Sequence, residues 1–320
     1  MLDLKKIFNF YYGWWKNIDK FILFLILLLF GLGLFFSLVS TSIIASDKLN
    51  TNTYYFFIKH LFFIILGVFI LITFSAIEQK KLFQISKYLF FIFFIFLALV
   101  PFIGEEVKGS ARWIDLPMIP RFQPIEILKP FLIIMISTVF TLNYEKHLYF
   151  KYLFSLLIII PVILFLISQP DVGQTILIIF TWFSLIFVSG INLLFLFVFF
   201  TLTFSLLTYL ILYVSKFEYI KQRLFSFINP TSGNNYQSER ASEAISNGGF
   251  FGQGIGEGTL NSKVPEAHTD YIISVISEEF GVIIVLLIMI IFLTLSYCIL
   301  KKTDNENEDK VKLILVGITS

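Results

Sequence analysis

A single cysteine, Cys298, stands in 320 residues, so no internal disulfide can form and no multi-cysteine metal site exists. The three histidines, His60, His147 and His268, lie too far apart for any metal-ligand spacing. Charge is scarce: Asp, Glu, Lys and Arg make up 14 % of the chain, against about 25 % in soluble domains. The formal net charge is only +2, which gives no footing for nucleic acid. No G-K-[ST] phosphate loop occurs. The glycines from Gly248 to Gly258 fit no G-x-G-x-x-G register, because Glu257 or Thr259 falls where the last glycine should be. That run reads as structural, letting backbone approach a helix end or a bulky ligand closely. Asn229-Pro230-Thr231 is no glycosylation acceptor, since proline holds the middle position.

What the chain has in excess is hydrophobicity, 57 % of its residues, with 41 phenylalanines. It comes in runs of about twenty, the length that crosses roughly 30 Å of hydrocarbon at ~1.5 Å per residue. Membrane helices are predicted near 21–45, 54–77, 88–103, 125–142, 152–168, 174–190, 192–214 and 271–300. A further apolar stretch runs from Val311 to Ser320, too short to span a bilayer. The fold class is therefore all-α: a polytopic integral membrane protein with about eight complete spans and the start of a ninth. Residues 1–20 mix Lys5, Lys6, Lys16 and Lys20 with Tyr11, Tyr12, Trp14 and Trp15, which suits the headgroup layer. The run Phe21–Ala45 is too long for the core of a cleaved signal.

Lysine and arginine in the short loops orient the chain. With the N-terminus cytoplasmic, the inside carries Lys5, Lys6, Lys16, Lys20, Lys80, Lys81, Lys87, Lys146, Lys151, Lys301, Lys302, Lys310 and Lys312. The short outside loops carry Lys48, Lys108, Arg112 and Arg121. The N-terminus is thus expected inside, and the long polar segment 215–270 outside. A loop of that length is usually functional.

Charges at membrane depth are costly and commonly mark function. Glu126 and Lys129, at i and i+3 on the fourth predicted helix, share a face and can pair, as a structural ion pair or as part of a site. Asp270, preceded by His268 and Thr269, opens the eighth, either as a carboxylate favoured by the helix dipole or as a lone base. Arg112, Arg121, Arg223, Arg240 and Lys263 fall on the same expected outer side. A base among cations is what sugar transfer from a diphosphate donor needs. The carboxylate takes a proton from the attacking hydroxyl, and the cations, or a metal ion, stabilise the leaving diphosphate. Glu278 and Glu279 lie two to three turns deeper, where packing on polar partners is favoured over a proton or ion path. Gln169-Pro170-Asp171-Val172-Gly173 reads as a helix break, with Asp171 capping the next helix.

Four stretches resemble the SEDS (shape, elongation, division and sporulation) family. They are KGSARWIDLPMIPRFQPIEILKP (108–130), QPDVG (169–173), RLFSFINP…NNYQ…AISNGGFFGQGIGEGT (223–259) and PEAHTDYIISVISEEFG (265–281). Order and spacing match over nearly the whole chain, and the GEGT…PEAHTD wording looks more like the family's division branch than its elongation branch. Ile125 departs from the family pattern, which usually has serine there.

The resemblance implies one membrane domain over 1–320, with residues 1–20 cytoplasmic or interfacial and 215–270 a periplasmic loop. The match breaks off within the family's ninth helix at 311–320, so the chain is expected to be C-terminally truncated. The implied activity is a peptidoglycan glycosyltransferase polymerising lipid II during septal wall synthesis and cell division. The implied partners are a class B penicillin-binding transpeptidase and other divisome proteins, in the bacterial cytoplasmic membrane. Asp270 is implied as base or metal ligand, with Lys129 positioning it and Glu126 holding Lys129. Arg112, Arg121, Arg223, Arg240 and His268 are weaker substrate contacts. A divalent cation, Mg or Mn, is the one cofactor this chemistry admits. A lipid II flippase, in which Glu278 and Glu279 outweigh Asp270, and a non-catalytic division scaffold are the alternatives.

Overall fold

Asp19 starts the first long helix: its carboxylate accepts from the N–H groups of Phe21 and Ile22, both at 3.0 Å, satisfying donors that the first turn leaves open. The computed structural model describes residues 12–41, 54–107, 110–117, 119–142, 150–214, 217–218, 220–221, 236–260, 263–264 and 271–320. Its helices are α1 (Lys20–Phe36), α2 (Tyr55–Ser75), α3 (Gln79–Ile103), α4 (Pro124–Phe140), α5 (Phe150–Ser168), α6 (Val172–Val188), α7 (Leu193–Tyr213), α8 (Tyr236–Gly248), α9 (Ile272–Phe280), α10 (Val282–Lys301) and α11 (Asp309–Thr319). Between α3 and α4 lie strands β1 (Glu105–Val107), β2 (Ser110–Leu116) and β3 (Ile119–Phe122), an antiparallel sheet of order β1-β2-β3.

Six of the described helical segments are long and apolar enough to cross a membrane, and the 17-residue α6 is a shorter apolar helix. Neither α2 nor α7 buries a residue inside the protein, so their apolar surfaces are left for lipid. Over the described residues each predicted span coincides with helix, with 42–45 of the first lying outside them. The eighth does so with a difference: its apolar run is cut at Gly281 (φ 84°) into α9 and α10.

The chain forms two compact units, residues 1–77 with 222–298 and residues 78–221 with 299–320. In the first, the Trp14 indole N–H donates to Ser75 Oγ at 2.9 Å, tying the segment before α1 to the end of α2. Phe36 meets Phe280 edge-on at 5.3 Å, seating the end of α1 on the end of α9. The polar segment read from sequence as a loop contains α8, whose small buried residues Ala241, Ala244 and Gly248 recur at helical spacing and lie against α9. Ala244, Val264 and Val275 form its buried core, with Leu260 and Tyr271 packed on them.

In the second unit α4 is the central helix, with ten buried residues and packing against α3, α5, α6 and α11. The sheet sits on α3 and α4, burying Ile114 completely and setting Phe122 edge-on to Phe96 at 5.8 Å. Ile125 is also fully buried, so an apolar side chain suits the place where the family usually has serine. The short helix α11 packs on α4 and α6 through Leu313 and Gly317; a Cβ on Gly317 would lie 2.6 Å from Ile133 Cγ2.

Candidate functional site

In the second unit, two helix starts come together. Pro124 opens α4, preset for a first helical position, and places Glu126 in the first turn. Asp171 caps α6, accepting from Gln174 N–H at 3.4 Å, and so fixes Gln174 on the facing turn. Lys129 Nζ lies 2.7 Å from Glu126 Oε2 and donates to Gln174 Oε1 at 3.2 Å, and Gln174 Nε2 donates to Glu126 Oε1. The three side chains close a ring of charge-assisted bonds. The lysine is mostly buried and the glutamate about half exposed. Glu126 and Lys129 pair as their spacing predicts. Gln174 was missed, because a neutral amide carries no signal until the cap at Asp171 shows which way its turn faces.

Behind this ring the sheet is locked to the break between α5 and α6. Arg112 on β2 donates through Nη2 to the Pro170 carbonyl at 2.6 Å and through Nε to the Gln169 carbonyl at 3.4 Å, with Asp171 Oδ2 at 3.7 Å. Gln123 Nε2 donates to the same Asp171 oxygen at 3.0 Å, and Gln169 Nε2 donates to the Leu97 carbonyl at 3.2 Å. The guanidinium of Arg112 is thus committed to backbone and to a capping carboxylate. Arg121 sits over the Trp113 ring at 5.6 Å.

In the first unit, the glycine run packs where the apolar helix is cut. Helix ends leave carbonyls and N–H groups unpaired, and in hydrocarbon these must find protein partners. Gln253 and Gly254 N–H donate to the carbonyls of Glu278 and Glu279 at 2.8 and 3.1 Å. The carbonyls of Gly249 and Phe250 accept from Val282 and Ile283 N–H at 3.0 and 3.4 Å. A Cβ on Gly248 would lie 2.0 Å from the Ser277 carbonyl oxygen, and one on Gly252 2.1 Å from that of Glu279. Close approach to a helix end, expected of these glycines, is what they provide. The fully buried Glu278 accepts at Oε1 from Asn247 Nδ2 and from Leu260 N–H, both at 2.9 Å.

Arg240 on α8 bonds Glu243 at 2.6 Å and lies over the Tyr236 ring at 5.2 Å; the Glu243 carboxylate raises its pKa further, so it stays charged. Asp270, His268 and Arg223 lie outside the described residues. Tyr271, next to Asp270, is the N-cap residue of α9. Among the described residues no three His, Cys, Asp or Glu side chains converge on a metal position.

Membrane-crossing helices, a polar ring at two helix starts and a helix break covered by a glycine loop define a polytopic membrane protein with its polar groups gathered at helix ends. The profile of the cell cycle protein family of FtsW, RodA and SpoVE matches residues 19–320, and the chain belongs to this family. It is 30 % identical over 275 residues to the probable peptidoglycan glycosyltransferase FtsW of Caulobacter vibrioides, covering 84 % of this chain and 68 % of that protein. It is 32 % identical over 312 residues to the probable peptidoglycan glycosyltransferase FtsW of Coxiella burnetii, covering 94 % and 82 %. The fold is similar to the crystal structure of the rod shape determining protein RodA of Thermus thermophilus, with TM-score 0.63 at 20 % identity over 95 % of this chain and 81 % of that one. It also resembles a chain from a structure described as the structural coordination of polymerization and crosslinking by a peptidoglycan synthase complex, with TM-score 0.76 at 21 % identity over 95 % and 84 %.

Proposed function

We propose that this chain is a peptidoglycan glycosyltransferase that polymerises lipid II on the outer face of the bacterial cytoplasmic membrane, at the division septum, beside a class B penicillin-binding transpeptidase. In this reading the acceptor sugar 4-hydroxyl attacks the anomeric carbon of the donor. The new C–O bond forms as the bond to undecaprenyl diphosphate breaks, with inversion. Asp270 takes the hydroxyl proton, and Lys129 is the cation that Glu126 and Gln174 hold in place. The N-terminus is cytoplasmic and residues 215–270 are outside.

The observation that carries the reading, beside the names of the relatives, is the Glu126–Lys129–Gln174 ring. A lysine held by two partners at a helix start can act on an anionic substrate without a soluble domain. The transport alternative gives Glu278 a place on a charged path, whereas its bonds to Asn247 and Leu260 are those of a structural anchor. The test is lipid II polymerisation by purified protein with its transpeptidase partner, comparing wild type and Asp270→Asn. Loss of polymer with unchanged folding is the expected result, and full polymer yield from the Asn variant sinks the catalytic role.

A further inference from the structure

The turns that follow α8 carry apolar side chains into the open. α8 itself is polar, with Glu239, Arg240 and Glu243 along it, so it does not lie in hydrocarbon. Two residues past its end come Phe250 and Phe251, 74 % and 84 % exposed, and Ile255 follows at 61 %. Phe251 is the most exposed large apolar side chain among the described residues. Single apolar side chains on a surface are ordinary, but these stand close together on one set of turns, and a patch asks for a partner. Between Gly248 and Leu260 only Glu257 carries charge.

The height of these turns against the bilayer follows from α10. Its 20 residues, Val282–Lys301, rise ~1.5 Å each and cross the roughly 30 Å of hydrocarbon unaided. Val282 and Ile283 therefore stand at the border of the hydrocarbon. Their N–H groups donate to the carbonyls of Gly249 and Phe250 at 3.0 and 3.4 Å, and a Cβ on Gly281 would lie 2.1 Å from the Phe250 oxygen. The backbone beneath the two rings is thus pinned at that border. In α10 only Ile291 is buried, and Ile283, Leu286, Leu287 and Ile290 are exposed, which leaves them to lipid. An exposed apolar surface runs from α10 onto the turns.

We propose that Phe250 and Phe251 form a wedge that enters the acyl chains of the leaflet where α10 begins, and so anchors the glycine turns to the bilayer. The occupant is lipid because the two rings project instead of lining a hollow, and lipid closes on a projecting ring without a matching shape. Aromatic rings are favoured at this level of a membrane. The wedge stands apart from the glycosyltransferase reading. It seats in the membrane a piece of the polar segment that hydropathy alone leaves in water.

The experiment uses the full chain in nanodiscs of phosphatidylethanolamine and phosphatidylglycerol. A nitroxide is placed on Phe251→Cys in a Cys298→Ser background, with Ile290→Cys on α10 and Ser242→Cys on α8 as references. Collisions with oxygen, which concentrates in hydrocarbon, are read against those with a charged chelate, which stays in water. Oxygen should win by at least about threefold at Phe251→Cys and Ile290→Cys, and the chelate by as much at Ser242→Cys. Collisions at 251 dominated by the chelate overturn the proposal, and so does shielding from both, which marks a covering protein or a second copy. Carbene photolabelling of the unsubstituted protein, from lipid with a diazirine in its acyl tail, needs no variant. Adducts on Phe250 and Phe251 are expected, and their absence overturns the wedge. Anchoring is read by hydrogen exchange of the Gln253 and Gly254 amides, which bond the end of α9. Phe250→Ser with Phe251→Ser should speed it by at least about tenfold, since each ring loses its burial in hydrocarbon. Phe250→Leu with Phe251→Leu keeps apolar bulk and should stay within about threefold of wild type. Unchanged exchange in the Ser pair, or equal acceleration in the Leu pair, overturns the anchor.

Discussion

Gly252→Ala tests how the cut helix is held. Gly252 has φ +81°, and a Cβ there would sit 2.1 Å from the Glu279 carbonyl oxygen and 2.6 Å from the Phe280 nitrogen. Real Cβ contacts do not fall below 3.0 Å, so the loop must retreat by about 0.9 Å from rigid backbone. The next two residues supply the N–H groups that bond the Glu278 and Glu279 carbonyls at 2.8 and 3.1 Å, so the retreat stretches both beyond hydrogen-bonding range. Forcing an L-residue into the left-handed region costs about 1–2 kcal/mol. Two carbonyls left without donors cost about 1–3 kcal/mol each. The total, about 3–5 kcal/mol after partial relaxation, corresponds to a rise in local opening of roughly 10²- to 5 × 10³-fold.

Gly249→Ala is the control. Its φ is also positive, at +57°, but a Cβ there meets nothing within 4 Å. It should therefore lose only the conformational term, about 1 kcal/mol or roughly fivefold in opening. Hydrogen exchange of the segment 249–260, read by mass spectrometry on protein in nanodiscs, measures both. Exchange in Gly252→Ala within about threefold of wild type, or equal in the two variants, would show that the loop does not supply the missing helix bonds.

Arg112→Lys removes a donor that serves two carbonyls and a carboxylate at once. A lysine cannot reproduce the fork, so stability should fall by about 2 kcal/mol, read as a Tm lower by about 4–8 °C in a thermal melt. Gly317→Leu drives a side chain into Ile133 and Leu185 and should cost about 1–3 kcal/mol, seen in the same melt. Gln174→Ala leaves the Lys129–Glu126 pair but opens the ring, and under the proposed function polymer formation should drop about tenfold with Tm nearly unchanged. Unchanged polymer yield would remove Gln174 from the site.

The spans were legible because hydrocarbon imposes one solution. A backbone that finds no water must close its own bonds, so runs such as Phe150–Ser168 and Leu193–Tyr213 become helices whatever their residue order. The Glu126–Lys129 pair was legible for a similar reason, since i and i+3 charges on a helix have few other places to go. The sheet at 105–122 was not, because its strands are short, one carries Pro120, and they are stabilised by packing on α3 and α4 that no local pattern records. The role of Arg112 was hidden too. Charge says that an arginine needs acceptors, and only the fold says that these are the carbonyls of 169 and 170.

The cut at Gly281 shows how far hydropathy reaches. From Tyr271 to Leu300 the residues read as one apolar stretch, and its two glutamates call for polar partners that the sequence does not identify. Once the helix is divided, the same residues explain one another. The break frees carbonyls at 278 and 279 and N–H groups at 282 and 283, and the glycine turns supply partners to all four. Those turns can come so close only because Gly248 and Gly252 lack side chains where a Cβ would strike the backbone of α9. Glu278 then needs no charged path to justify its burial, because the loop that covers the break brings it two donors. The glycine run, the buried carboxylate and the interrupted helix are thus parts of one structure. A substitution in any of them should be felt in the other two.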